Sequence, residues 1–189
     1  MAQTTLPNSN VPVLNQQGVL FANPWFIYLQ GLFKAVGAKF SLNLSGILSV
    51  NTTPASNTNA AETDLMIYSL QANTLQNNGD ILTIKAAGFF ATNGNNKTLK
   101  LKFGSQTIID TGAVAANGTS WEINSTITRL SPTSQEISAT AISNNTIFSA
   151  RVVGTQDLTT TFAIKCTGQG SITNDLTETA LIIGLTSNN

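Results

Sequence analysis

The sequence predicts an all-β protein: an antiparallel β-sandwich preceded by an extended arm and one short α-helix. Three observations carry that expectation. Apolar and polar residues alternate with a period of two along most of the chain after residue 62. Clusters of Asn, Gly, Ser and Asp, the turn formers, separate those runs. Asn, Thr and Ser together supply about a third of the 189 residues, and Thr favours strands whereas Asn favours turns.

Residues 1–22 read as the extended arm. Pro7, Pro12 and the Asn/Gln clusters oppose helix, and Val11, Val13 and Leu14 show no sustained period. The spacing then predicts a helix over residues 23–37. Asn23 can cap it, and Pro24 suits the first helical position, where its missing N–H would be unpaired anyway. Trp25, Tyr28, Leu29, Leu32, Phe33 and Val36 fall on one face, and Gly37 is a natural stop. Phe26 and Ile27 widen the apolar stripe. One sheet face covers only one stripe of a helix. Trp25, Phe26, Ile27, Tyr28, Leu29, Leu32 and Phe33 are therefore the candidate anchor residues, expected to bury surface on sister subunits or a larger assembly. Packing on the sandwich of the same chain is the competing reading.

The expected organisation is an anchoring arm over residues 1–50, a polar linker over 51–63 and a sandwich over 64–189. Lys39–Val50 alternates loosely, as a strand or an extended connector. Strands follow at Asp64–Leu70, Ile81–Ala91, Lys97–Phe103 and Gln106–Asp110. In the third of these, Leu99, Leu101 and Phe103 face one way while Thr98, Lys100 and Lys102 face the other. Further strands are expected at Ser120–Leu130, Gln135–Ile142, Thr146–Val153, Leu158–Thr167 and Glu178–Thr186. Trp121, Leu101, Phe103, Phe162 and Ile164 are the expected core. Close spacing with turn signals between strands suggests a sandwich or barrel rather than βαβ units.

Composition also removes chemistry. The chain has no histidine, which excludes Ser-His-Asp and Cys-His nucleophile systems and most zinc sites. Its single cysteine, Cys166, cannot form an intramolecular disulfide and reads as a small core residue. The nine carboxylates are scattered, with no pair placed for glycoside hydrolysis. Asn77-Asn78-Gly79-Asp80 lacks the spacing of a calcium loop and reads as a turn. Gly88, in mid-strand, signals a bulge or a close backbone approach. Lys97, Lys100 and Lys102 read as a small basic patch that keeps an exposed strand soluble. Nine basic and nine acidic residues balance, so no nucleic-acid partner and no membrane partner is expected. The N-terminus lacks the basic and apolar regions of a secretory signal. No cofactor and no metal is expected.

Two segments carry a resemblance. Gln16-Gln17-Gly18-Val19-Leu20, running into Asn23-Pro24-Trp25-Phe26-Ile27-Tyr28-Leu29, resembles an N-terminal segment of many small phage virion proteins. The body is similar to the jelly-roll knob of phage head-fibre, decoration and tail-tip proteins. The residues that carry this are Leu75, Asn78-Gly79-Asp80, Leu82 and Ile84, then Gly88 and Phe90-Ala91. Asn96 through Leu101 with Phe103-Gly104, Ser120-Trp121-Glu122-Ile123, and residues 157–168 continue it. The resemblance implies a homotrimer of jelly-roll sandwiches with no catalytic residue, anchored by its N-terminal part to the major capsid protein or another virion protein. The expected place is the outer surface of a virion, after synthesis in the host cytoplasm. Because the anchor runs almost directly into the sandwich, a capsid decoration, cement or head-fibre protein is expected. The alternative is a receptor-binding knob of a tail fibre or tail needle, with a host surface receptor as partner.

Overall fold

A computed structural model describes residues 46–188. The predicted helix over 23–37 and the arm before it lie outside the described residues. Twelve strands follow one another: β1 (Gly46–Asn51), β2 (Ala55–Ser56), β3 (Thr63–Leu70), β4 (Ile81–Phe90), β5 (Asn96–Phe103), β6 (Gln106–Asp110), β7 (Val114–Ala115), β8 (Ser120–Ser131), β9 (Ser134–Ser143), β10 (Thr146–Gly154), β11 (Phe162–Gln169) and β12 (Leu176–Thr186). The described residues contain no helix. The unit to which they belong runs Leu44–Asn189.

The strands form two antiparallel sheets around a shared core. The seven-stranded sheet has the order β1-β12-β4-β8-β9-β10, with β2 beside β12. The five-stranded sheet has the order β3-β11-β5-β6, with β7 beside β5. Only some of these neighbours are hairpins. The pairing of β12 with both β1 and β4 brings the last strand between two early ones.

Period-two alternation sets which face is buried. Leu99, Leu101 and Phe103 on β5 face the core, as do Trp121, Ile123 and Ile127 on β8. Ile164 and Cys166 join them from β11, and Leu181 and Ile183 from β12. Fully burying side chains of this size contributes roughly 1.5–3 kcal/mol each. Phe162 is partly buried against this core, with its ring edge-on to Phe103 at a centroid distance of 4.7 Å. The β9–β10 hairpin turns on Asn144 and Asn145, at φ 48° and 62°. A two-residue hairpin needs that left-handed pair, and Asn tolerates it better than other side chains do.

Three boundaries depart from the alternation pattern. β1 occupies residues assigned above to the arm and pairs with β12, so the sandwich starts ahead of the polar stretch 51–63. Short β2 lies inside that stretch. β11 begins at Phe162, not Leu158, because Asp157 turns the chain first. Its carboxylate accepts the Thr159 N–H at 2.9 Å and the Thr159 hydroxyl at 2.7 Å. Local side-chain hydrogen bonds of this kind compete with strand pairing.

Gly88 is a close-approach position. A Cβ there would lie 1.9 Å from the Thr177 carbonyl oxygen and 2.6 Å from Cζ2 of Trp121. Opposite it, the β4–β12 register slips between Glu178 and Ala180.

Candidate functional site

The candidate anchor residues Trp25, Phe26, Ile27, Tyr28, Leu29, Leu32 and Phe33 lie outside the described residues. Within 46–188, two surfaces stand out. The first is the outer face of the seven-stranded sheet. Its centre is a shallow trough lined by Thr83, Lys85, Asn124, Thr126, Ser138 and Thr140. Lys85 pairs with Glu122 at 3.1 Å, and Asn124 donates to the same carboxylate. These two contacts, the Asn124 bond first, hold the Glu122 carboxyl below its ordinary range.

Apolar side chains flank that neutral centre. Ile142 and Ile147 are cross-strand neighbours on β9 and β10, and both are exposed. Ile147 is 71% exposed and Val153, further along β10, is 59% exposed. Ile47 and Val50 on β1 are exposed at the opposite edge of the same sheet. Among the described residues β10 pairs only with β9, and its Val153 carbonyl accepts from Gln106 Nε2 at 3.0 Å; the strand carries no proline and has Arg151 as its one charged residue. The uncovered part of that edge is a template for further contact. Hydroxyl, amide and apolar groups without free charge suit a neutral macromolecular surface.

The second surface is one end of the sandwich, where a buried polar network ties loops together. Lys97 lies on the same side of β5 as Leu99 and is 1% exposed. Its three ammonium N–H groups are shared among four oxygens: Asn93 O at 3.2 Å, Asn93 Oδ1 at 2.7 Å, Asn95 O at 3.1 Å and Ala116 O at 2.7 Å. Asn93 then relays to Asp175, its Nδ2 donating to Oδ1 at 2.7 Å. Asp175 Oδ2 accepts the N–H groups of Ser171 and Ile172. Buried Asn57 closes the network, donating to Asn59 O and Ile172 O and accepting the Leu176 N–H. Burial lowers the Lys97 ammonium's proton affinity, and the Asp175 charge opposes that shift. For Asp175, burial pushes the carboxyl up, but the donors around it outweigh burial and leave it below its ordinary range.

The basic patch expected on β5 is therefore corrected. Lys97 faces inward, and Lys100 and Lys102 are held by Glu62. The Lys100–Glu62 distance is 2.9 Å, Lys102 reaches the other carboxylate oxygen, and Lys100 also meets Asp110 at 3.5 Å. The hydrogen bonds from Lys102 and then Lys100 bring the Glu62 carboxyl down to about 2. The sign follows from linkage. A depressed carboxyl contributes stability above its unfolded value of 4.5, and that stability is lost as pH falls toward 2. Glu62→Gln is expected to cost about 1 kcal/mol at pH 7, discounted for solvent screening, and almost nothing at pH 2. Urea titrations at the two pH values check this, and an equal loss at both would remove the account.

The remaining carboxylates are dispersed. Asp80 caps the turn after Gln76, accepting the Gln76 and Asn77 N–H groups at 2.7 Å each, and also holds Asn188 N at 2.8 Å. Glu136 pairs with Arg151, and Asp64 with Lys165. Glu178 is buried. Among the described residues no group of three or more His, Cys, Asp or Glu side chains could hold a metal ion. Cys166 is fully buried, and burial raises its thiol well above the ordinary value. Lys97 was grouped with Lys100 and Lys102 as an exposed patch, although it shares the parity of Leu99, and that parity is the signal that could have placed it inward. Asp175 and Asn57 gave no periodic signal. No protein-family model matches the chain, and no curated protein matches it.

Proposed function

We propose that the chain is a non-enzymatic structural protein of a phage particle, a capsid-attached decoration, cement or head-fibre protein. The observation that carries this reading is the surface of the sandwich. Ion pairs engage most of its charged side chains, while Ile47, Val50, Ile142, Ile147 and Val153 stand exposed on one sheet face and its edges. Such a face suits fixed contact with other subunits. The N-terminal segment, with Trp25 through Phe33, is the anchor in this reading, and its target is the major capsid protein or another virion protein.

We read the sandwich as a jelly roll. What supports this is the four-on-four arrangement of β1-β12-β4-β8 against β3-β11-β5-β6, with the β9–β10 hairpin extending the larger sheet. Association as a homotrimer belongs to the same reading, with the number taken from the resemblance. Apolar and amide contacts hold it together, and screening by salt acts on neither. Light scattering should give a trimer mass that is unchanged between low and high salt. A monomer at micromolar concentration, or dissociation by salt alone, defeats it. The placement is tested by a density map of purified particles. Density for the sandwich projecting from the shell supports the reading, and density at the tail tip supports the alternative, a receptor-binding knob. One observation favours that alternative: the locked loop end around Lys97 and Asp175 is a rigid platform of the kind that presents binding loops.

A further inference from the structure

Three Asn-Gly pairs fall among the described residues: Asn78-Gly79, Asn93-Gly94 and Asn117-Gly118. Such a pair is chemically labile. The Gly main-chain nitrogen closes a five-membered ring on the Asn carboxamide with no side chain in the way. That nitrogen must first give up its proton to solvent base. In two of the pairs the fold withholds the proton: the Gly79 N–H is held by Arg129 O at 2.7 Å, and the Gly118 N–H by Ala91 O at 3.1 Å. Gly94 is exposed, and its N–H meets no protein acceptor among the described residues.

The carboxamides differ too. Asn78 and Asn117 are exposed, and no hydrogen bond among the described residues holds their side chains. Asn93 Oδ1 accepts from Lys97 Nζ at 2.7 Å and from the Asn95 N–H at 3.2 Å. Both donors meet the atom on which negative charge develops when Cγ is attacked, as in an oxyanion hole. The Lys97 ammonium is buried, so water screens its field there only weakly. Asn93 Nδ2, the leaving group, donates to Asp175 Oδ1 at 2.7 Å. That carboxylate stabilises the positive charge the nitrogen takes on as it is protonated to leave. The Asn95 contact also directs the side chain along the peptide that carries the Gly94 nitrogen. The same bonds restrain the side chain. Freezing one side chain is worth roughly tenfold in rate, less than the roughly 100-fold or more that one oxyanion donor supplies.

We propose that Asn93-Gly94 is a self-modification site, at which the fold promotes conversion of Asn93 to aspartate and isoaspartate through a cyclic imide. The Gly94 nitrogen, its proton lost to solvent base, bonds to Asn93 Cγ while Oδ1 takes the negative charge. Oδ1 then returns its electron pair to the carbonyl, the Cγ–Nδ2 bond breaks, and Nδ2, protonated from water, leaves as ammonia. Water opens the imide. Addition at Cγ gives aspartate, and addition at the main-chain carbonyl gives isoaspartate, which lengthens the backbone by one carbon. Water is the only co-reactant. The product alters the loop end. Asp175 loses its Nδ2 donor and faces a second carboxylate, while Lys97 gains an anion.

The test is mass spectrometry on the full chain, incubated at mildly alkaline pH in buffer and, in parallel, unfolded in concentrated guanidinium chloride. Cleavage after Lys and Arg puts the three pairs in separate peptides, residues 40–85, 86–97 and 103–129, so each conversion is read alone. Folding should raise the Asn93 rate by about tenfold or more and lower the rates at Asn78 and Asn117. Gly94→Ala should suppress the reaction in the folded chain. A Cβ at Gly94 meets no atom within 4 Å, and its φ lies outside the left-handed range, so this variant keeps the fold. An Asn93 rate that folding does not raise, or faster conversion at Asn78 or Asn117 in the folded chain, overturns the proposal. Both of those readings come from the unaltered chain. Conversion that continues undiminished in Gly94→Ala overturns it as well.

Discussion

Replacing Lys97 with Met should cost about 3–5 kcal/mol of stability, the range for removing one member of a buried, compensated charge network. The substitution keeps most of the aliphatic stem and removes the ammonium. Four oxygens then lose their donor: Asn93 O, Asn93 Oδ1, Asn95 O and Ala116 O. Asp175 keeps its hydrogen bonds but loses the nearest cation. The loss should be local in origin, because the network joins the β4–β5 loop to the β11–β12 loop through Asn93 and Asp175. Amide exchange at Ser171 and Ile172 should accelerate before global unfolding. Lys100→Met is the control. Its ammonium is partly exposed and paired with Glu62 and Asp110, so it should cost at most about 1 kcal/mol. Urea denaturation of the two variants decides the matter. Equal losses would mean that Lys97 is held by its stem and not by its charge.

The comparison of Lys97 with Lys100 also shows where sequence reading stops. The strand and its buried face were legible from alternate Leu99, Leu101 and Phe103. Parity alone puts Lys97 on that buried face. A charge at a buried parity position can mean a frayed strand end or an internal partner set; here Asn93 and Asn95 supply local acceptors, while Ala116 O and the Asp175 charge come from further along the chain. Glu178 repeats the problem. The strand was expected to start at Glu178, whereas β12 starts at Leu176 and buries Glu178. The extra two residues are recruited by Asn57, whose Oδ1 accepts the Leu176 N–H at 3.1 Å. β2 and β7 have two residues each, too few for any period to register. The sheet order was illegible for a related reason. Alternation says which face is buried, but not which strand lies alongside, and β12 enters between β1 and β4 from the far end of the chain.

The candidate surface divides in the same way. The strand Thr146–Val153 was legible in the sequence, but not that Ile147 and Val153 would stand exposed on it. That β10 ends a sheet, and so leaves its edge open, follows only from the pairing. Ile47 and Val50 come to the same face from the opposite edge, through a strand that loose alternation left ambiguous.

Folding stability should fall as pH rises from about 5 to 8, and Glu178→Gln should remove most of that slope. Glu178 is fully buried on the inner face of β12, and burial raises its carboxyl from 4.5 to about 8. Below 4.5 both folded and unfolded chains hold the proton, so its contribution is fully present. Between 4.5 and 8 the unfolded chain has released the proton and the folded chain has not. The folded state then binds more protons, and stability declines with pH. A tenfold change in proton affinity corresponds to about 1.4 kcal/mol, so the full decline is on the order of 4 kcal/mol. Glu62 acts with the opposite sign at lower pH, losing its contribution as pH falls from 4.5 toward 2. Together the two carboxylates place the stability maximum on the acid side of neutrality, near pH 5. Denaturant midpoints measured from pH 3 to 9 should rise and then fall around that maximum. In Glu178→Gln the descending limb should flatten while the acid limb remains. A wild-type profile that is level from pH 5 to 8 would mean that Glu178 is ionised in the folded sandwich at neutral pH, with Oε1 satisfied by a partner other than its own proton.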